Sequence, residues 1–135
     1  ELYMHKEDLP LLENAGNIGK MYGFEDYEGS PYPKHFLAQD DTLTFGESSF
    51  KILFTPGHAP GHICLYSKEN NLVIAGDVLF QGSIGRTDLP GGDHSTLINS
   101  IVTQLFPLSN ETQVFCGHGP STNLGYEKEH NPFLQ

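Results

Sequence analysis

Three apolar runs in this sequence stop in the same way, and that recurrence limits the fold more than any other feature. Lys51 to Thr55 is β-prone and ends at Pro56-Gly57, which hands His58 to a loop. His62 to Ser67 reads as a second strand. The polar turn Lys68-Glu69-Asn70-Asn71 leads from it into a third, Leu72 to Ala75, which ends on Gly76 and delivers Asp77. Thr112 to Cys116 repeats the pattern: Gly117 breaks the run, His118 follows, and Gly119-Pro120 closes the turn. Strand ends in a layered sheet lie side by side, so residues remote in sequence converge on one rim, where glycine lets the backbone come close to an ion. His58, Asp77 and His118 are the candidate cluster. Each alone fits ordinary turn chemistry, because Asp and His tolerate turn geometry; their repetition at three strand ends favours a site.

The rest of the chain supplies a frame for that rim. Glu1-Leu2-Tyr3-Met4 opens without a starting Met, like the tail of a strand already under way, and a chain that begins in mid-element is expected to have lost its beginning. His5 to Asn14 reads as a short helix with Pro10 near its first turn and Gly16 as its stop. Asn17 to Lys34 is rich in Gly, Tyr and Pro without sustained periodicity, and is expected to be a loop with at most one helical turn, packed on the surface or acting as a lid. Thr42 to Phe45 alternates and is followed by Gly46-Glu47-Ser48-Ser49, which predicts a hairpin with the strand containing Lys51. Val78 to Asp93 is a shaped, glycine-rich loop. Ser95 to Phe106 places Leu97, Ile98, Ile101, Val102 and Leu105 on one helical face, with Asp93 or Ser95 as cap and Pro107 as terminator. Ser121 to Gln135 reads as a loop or short helix.

The 135 residues make one domain's worth of chain, with no repeat or interdomain linker. Seventeen acidic against seven basic residues give a net charge of -10, which argues against a nucleic-acid or anionic-membrane surface. A small anionic substrate stays open, since a bound dication attracts it locally. Cys64 and Cys116 each lie inside an apolar run and read as buried free thiols. No run reaches membrane length and no signal peptide is visible, so a cytoplasmic location is expected.

Thr55-Pro56-Gly57-His58-Ala59-Pro60-Gly61-His62, Ala75-Gly76-Asp77-Val78-Leu79-Phe80, Gly85-Arg86-Thr87-Asp88 and Gly117-His118-Gly119-Pro120, in this order, form a known pattern. The chain resembles the metallo-β-lactamase-fold hydrolases, and among them the single-domain hydroxyacylglutathione hydrolases of the glyoxalase II type. The resemblance implies an α/β fold, the C-terminal half of an αββα sandwich with a mixed β-sheet and flanking helices. It implies that His58 ligates a first metal, Asp77 bridges two, and His118 ligates the second. It also implies hydrolysis of a small thioester by a metal-bound hydroxide. Two imidazoles and a carboxylate suit Zn²⁺, and iron or manganese as well.

One departure matters: the family's remaining ligands come from an H-x-H-x-D-H run, and this chain has none. Two four-coordinate metals need about eight donors, and His58, Asp77 counted twice and His118 supply half of them. Residues 1–135 are thus expected to be one metallo-β-lactamase-like domain without the N-terminal part that carries that run, with weak or no metal binding and no turnover unless the missing part is supplied. His62 is four residues from His58, but Pro60 and Gly61 disfavour a helical zinc pair; it either supports the ligands from behind or is simply packed. Arg86 and Asp88 either tie the loop together, the favoured reading, or meet an anionic substrate. Ser95 reads as a cap and Cys116 as an inert thiol.

Two other functions fit the same motifs. An iron-dependent persulfide dioxygenase resembles the chain around Gly76-Asp77 and Gly85-Arg86-Thr87-Asp88, with retained His118 favouring the two-metal hydrolase. A noncatalytic fragment that self-associates, with a homodimer as its product, follows if a sheet face is left uncovered.

Overall fold

The runs rich in β-branched and aromatic residues become the strands of one mixed sheet. The computed structural model describes residues 1–135. β1 (Tyr3–Met4) and β2 (His35–Phe36) make a small parallel pair. β3 (Thr42–Phe45), β4 (Ser48–Phe54), β5 (Ile63–Ser67), β6 (Leu72–Gly76), β9 (Gln113–Cys116) and β10 (Thr122–Asn123) form a six-stranded sheet in the order β10-β9-β6-β5-β4-β3. All its neighbours are antiparallel except β6 and β9. That parallel pair sets the site: both strands end at one rim, and β4, two strands over, runs the same way. The loops that begin at Phe54, Gly76 and Cys116 therefore leave the sheet on one side.

The predicted β3–β4 hairpin forms, tighter than expected. Phe45 pairs with Ser48 across the two-residue turn Gly46-Glu47, and Gly46 has φ of 57°. β4 starts at Ser48 and stops at Phe54, so Thr55 belongs to the loop. The Val78–Asp93 loop contains a second, short hairpin, β7 (Leu79–Phe80) with β8 (Ser83–Ile84), turned by Gln81-Gly82.

Two helical expectations change. The segment after β1 is a 3-10 turn (Lys6–Asp8), then α1 (Leu9–Glu13), and then α2 (Ala15–Met21), which passes straight through the expected stop at Gly16. Gly16 has no positive φ there. Tyr27 packs across the helix at Gly19, where a Cβ would sit 3.5 Å from Tyr27 Cβ, so a small residue is useful within the helix rather than after it.

The long helix predicted over Ser95–Phe106 begins as α3 (His94–Ser100) and continues as a π-helical turn, Ile101–Leu105. Phe106 N–H donates to Ile101 O, five residues back. The wider turn rotates the apolar stripe: Leu97, Ile101 and Leu105 are fully buried, but Val102, expected on the same face, is exposed. Asp93 rather than Ser95 caps α3, accepting from Thr96 N–H at 2.8 Å, and Ser95 Oγ donates to the same carboxylate. These bonds hold the Asp93 carboxyl down, to a pKa of about 2.

The core lies between the sheet and α3 with its π-turn, joined by α4 (Leu124–His130). Leu53, Cys64, Val73, Ala75 and Val114 on the sheet meet Leu97, Ile101, Leu105 and Leu124. On the opposite sheet face, the register Ile52–Leu65–Ile74–Phe115 runs across four strands, with Ile74 and Phe115 each 41% exposed. Both cysteines are free, and burial pushes the Cys64 thiol up to about 12. No helix is long and apolar enough to cross a membrane.

Two contacts fasten the site loops to this core. α3 lies directly on Pro56-Gly57: Ser100 Oγ donates to Pro56 O at 2.7 Å and Asp93 N–H to Gly57 O at 2.8 Å. Gly57 has φ of 134°, and a Cβ on it would collide with the Leu97 backbone. Gly57→Ala is therefore expected to destabilise the fold by at least about 2 kcal/mol, read from urea unfolding. Glu127, on α4, is fully buried. It accepts from Gly82 N–H at 3.1 Å, Thr122 Oγ1 at 2.8 Å and Asn131 Nδ2 at 2.7 Å. Glu127→Ala strands these donors and should cost about 2–4 kcal/mol, with faster amide hydrogen exchange at Gly82.

Candidate metal centre

The rim gathers the three residues that the sequence nominated, in a particular arrangement. Asp77 stands between two imidazoles: its Oδ2 is 3.6 Å from His58 Nε2, and its Oδ1 is 3.2 Å from His118 Nδ1. The histidines approach different oxygens. They do not close into a single nest, and no group of three or more His, Cys, Asp or Glu side chains is placed to hold one ion by itself. His58 is largely buried, Asp77 half-buried, and His118 exposed and tilted over the Phe80 ring.

Sequence dictates why Asp77 can sit there. β6 carries a register irregularity between Ile74 and Gly76, and such a bulge re-aims the side chain that follows. Gly76 has φ of 52°, favoured by glycine, and a Cβ there would lie 2.8 Å from His62 Nε2. A Cβ on Gly117 would lie 2.5 Å from Asp77 Oδ1, and one on Gly85 would overlap the Asp77 carbonyl. Gly85 and Gly117 thus leave the volume that Asp77 occupies, and Gly76 leaves room for the His62 ring behind it.

His58 is oriented from behind. Its Nδ1 lies 2.8 Å from Arg86 O, and a carbonyl only accepts, so Nδ1 carries a proton and, in the neutral ring, Nε2 presents a lone pair towards Asp77. An imidazole lone pair then faces a carboxylate across a gap longer than a hydrogen bond. A cation placed between two such acceptors would satisfy both.

A divalent ion fits these donors. Two ligands about 2.1 Å from one ion at a tetrahedral angle stand roughly 3.4 Å apart, close to the observed gaps of 3.6 and 3.2 Å. Asp77 can serve both sides because each oxygen faces a different histidine. The number of donors is short of what two ions need, as the sequence already indicated.

His62, left between two roles by its sequence, is packed directly behind Asp77. Its Nε2 accepts from Asp77 N–H at 3.2 Å, which puts the ring proton on Nδ1, 3.3 Å from Thr55 Oγ1. Burial, with the neighbouring His58, pushes the pKa of His62 down to about 4, so the ring is neutral at physiological pH and able to accept. Arg86 and Asp88 make the loop tie, with two 2.8 Å bonds between guanidinium and carboxylate. The Asp88 carboxyl is held at about 2 by that pairing. Cys116 donates weakly to Pro120 O, and burial raises its pKa.

Some contributors were not singled out from sequence. Asp8 Oδ1 accepts from Gly61 N–H at 2.6 Å and fixes the far end of the His58 loop. The β7–β8 hairpin brings Phe80, Gln81, Ser83 and Ile84 to a cleft of about 460 Å³ with His58, Asp77 and His118. The Gln81-Gly82 pair between two short apolar runs was a readable hairpin signal. Glu127, which pins that hairpin, carries no signal at all: nothing distinguishes it from a solvated helical glutamate until α4 is docked.

Known proteins resemble this chain along most of its length. The model of the Metallo-beta-lactamase superfamily matches residues 1–118. Hydroxyacylglutathione hydrolase GloC of Haemophilus influenzae is 40% identical over 130 residues, covering 96% of this chain and 61% of that protein. The crystal structure of the BLEG-1 B3 metallo-beta-lactamase is similar at a TM-score of 0.87 and 41% identity. TTHA1623 in a di-iron-bound form is similar at 0.86 and 43%. Each covers 98% of this chain and 64% of the solved one, so the chain spans less than two thirds of the length of these relatives. With most of its residues matched and its mixed sheet and flanking helices superposing on those structures, the chain belongs to the metallo-β-lactamase superfamily.

Proposed function

We propose that the full-length protein hydrolyses a small thioester, of which a hydroxyacylglutathione is the model, at the rim between His58 and His118. The observation that carries this reading is the Asp77 carboxylate with one imidazole against each oxygen. The 40% identity to GloC directs it towards thioesters. His58 would hold one ion with Asp77, and Asp77 and His118 a second. Zinc is the ion proposed; iron and manganese suit the same donors, and the di-iron form of TTHA1623 keeps iron in contention. Bound there, such ions supply Lewis acidity and lower the pKa of a coordinated water to about 7.

This chain's own groups do the positioning. Arg86 O takes the Nδ1 proton of His58 and keeps Nε2 turned to the cleft. His62 receives the Asp77 backbone N–H and fixes the main chain from which the carboxylate projects. The Phe80 ring lies against His118 at a tilt of 40° and limits the space on its side. No general base is required among these residues, and none of Ser83, Ser95 or Cys116 has a nucleophile's setting: Ser95 is engaged at the α3 cap and burial raises the Cys116 pKa. A small-molecule substrate is the partner proposed, with neither nucleic acid nor membrane.

The test is turnover of S-lactoylglutathione by the full-length protein loaded in turn with zinc, manganese and iron, beside glutathione persulfide with oxygen uptake and benzylpenicillin. Thioester hydrolysis should dominate. Asp77→Ala should lower kcat/KM by more than about a hundredfold, beyond the usual cost of losing a group that merely supports a ligand. Oxygen consumption on the persulfide, or β-lactam cleavage without thioester cleavage, would replace this reading.

A further inference from the structure

His58 is a wall shared by two cavities of opposite character. On one side lies the polar cleft with Gln81, Ser83 and Arg86. On the other lies a pocket of about 320 Å³, lined by Leu11, Ile18, Met21, Leu89 and Pro90, with Asn14, Tyr22 and His58 as its polar neighbours.

The sequence explains why it exists. α1 and α2 carry apolar residues at helical spacing, Leu11, Ile18 and Met21, yet neither helix buries a residue in the core. Met21, one of the lining residues, is 85% exposed. Their apolar sides turn instead to Ala59 and to Leu89-Pro90, on the loops that flank His58. The loop on that side is rigid: Asp8 grips Gly61, and Gly91 approaches so closely that a Cβ on it would lie 2.8 Å from Pro60 Cγ. No basic residue lines the pocket, and Arg86, the one cation of the polar cleft, is already engaged by Asp88. An uncharged, apolar group that reaches His58 is what this pocket suits.

We infer that the pocket formed by Leu11, Ile18, Met21, Leu89 and Pro90 binds the apolar acyl chain of the substrate, setting specificity for acyl length. The inference rests on the thioester reading in one respect: with a polar thiol in the polar cleft, the apolar arm is the acyl arm. A substrate that straddles His58 places its two arms in cavities matched to each.

The pocket can be tested without metal or turnover. Methyl NMR spectra of the metal-free full-length protein would be followed during titration with acetamide, butanamide and hexanamide, uncharged probes that cannot be hydrolysed as thioesters. The expected result is movement of the Leu11, Ile18, Met21 and Leu89 methyl signals, with affinity rising about fourfold per added methylene, from roughly 0.8 kcal/mol for each one buried. Leu89 is 39% exposed, so Leu89→Asp spares the core and should weaken hexanamide at least about tenfold. Ile74→Asp, on the far sheet face, should leave hexanamide binding as it is. Affinity independent of chain length, movement at Ile74 and Phe115 instead, or a Leu89→Asp protein that binds like the parent would overturn the inference. Hexanamide binding in a full-length protein that leaves every acyl-glutathione intact would remove the thioester reading and keep the pocket. Hydrolysis with kcat/KM indifferent to acyl length and to Leu89→Asp would do the reverse.

Discussion

The approach of three chain segments to Asp77 is the constraint on which the rest of this structure depends. Gly76, Gly85 and Gly117 belong to different loops, and each stands where a side chain would enter the space of Asp77 or its partner His62. The carboxylate is a small group in a crowded place, and its residue's backbone N–H is anchored on the neutral His62 ring. Because that ring is buried, its pKa of about 4 keeps it an acceptor over the physiological range. Fixed in this way, Asp77 offers one oxygen to each side of the rim.

Packing transmits that order from the core. α3 reaches the His58 loop through Ser100 and Asp93, and α4 reaches the β7–β8 hairpin through Glu127 and Asn131. Each helix buries apolar residues against the sheet and carries polar atoms that satisfy loop backbone. A buried carboxylate such as Glu127 is costly to desolvate, and its hydrogen bonds to three donors are what make it tolerable. The site is therefore positioned by elements whose burial is independent of any ion.

Much of the rim was legible because its chemistry is local. A strand that ends in glycine before His or Asp leaves a mark in sequence, and β4, β6 and β9 carry that mark. Their parallel sense, which decides that the three loops share a side, depends on long-range pairing and was inferred only through the recurrence. The helices were less legible. Gly16 reads as a stop until Tyr27 is seen lying across α2, and Val102 reads as core until the π-turn rotates it outward. Glu127 and Asp8 act through partners that are remote in sequence, so their roles become visible only when the fold brings Gly82 and Gly61 to them.

The proposed chemistry depends on one arrangement: Asp77 faces His58 with one carboxylate oxygen and His118 with the other. An anomalous-scattering map of the full-length protein crystallised with zinc, collected on both sides of the zinc edge, measures this directly. The account predicts two peaks flanking the Asp77 carboxylate, one touching His58 Nε2 and the other His118 Nδ1. Zinc bound elsewhere, with Asp77 coordinated to nothing, would contradict it.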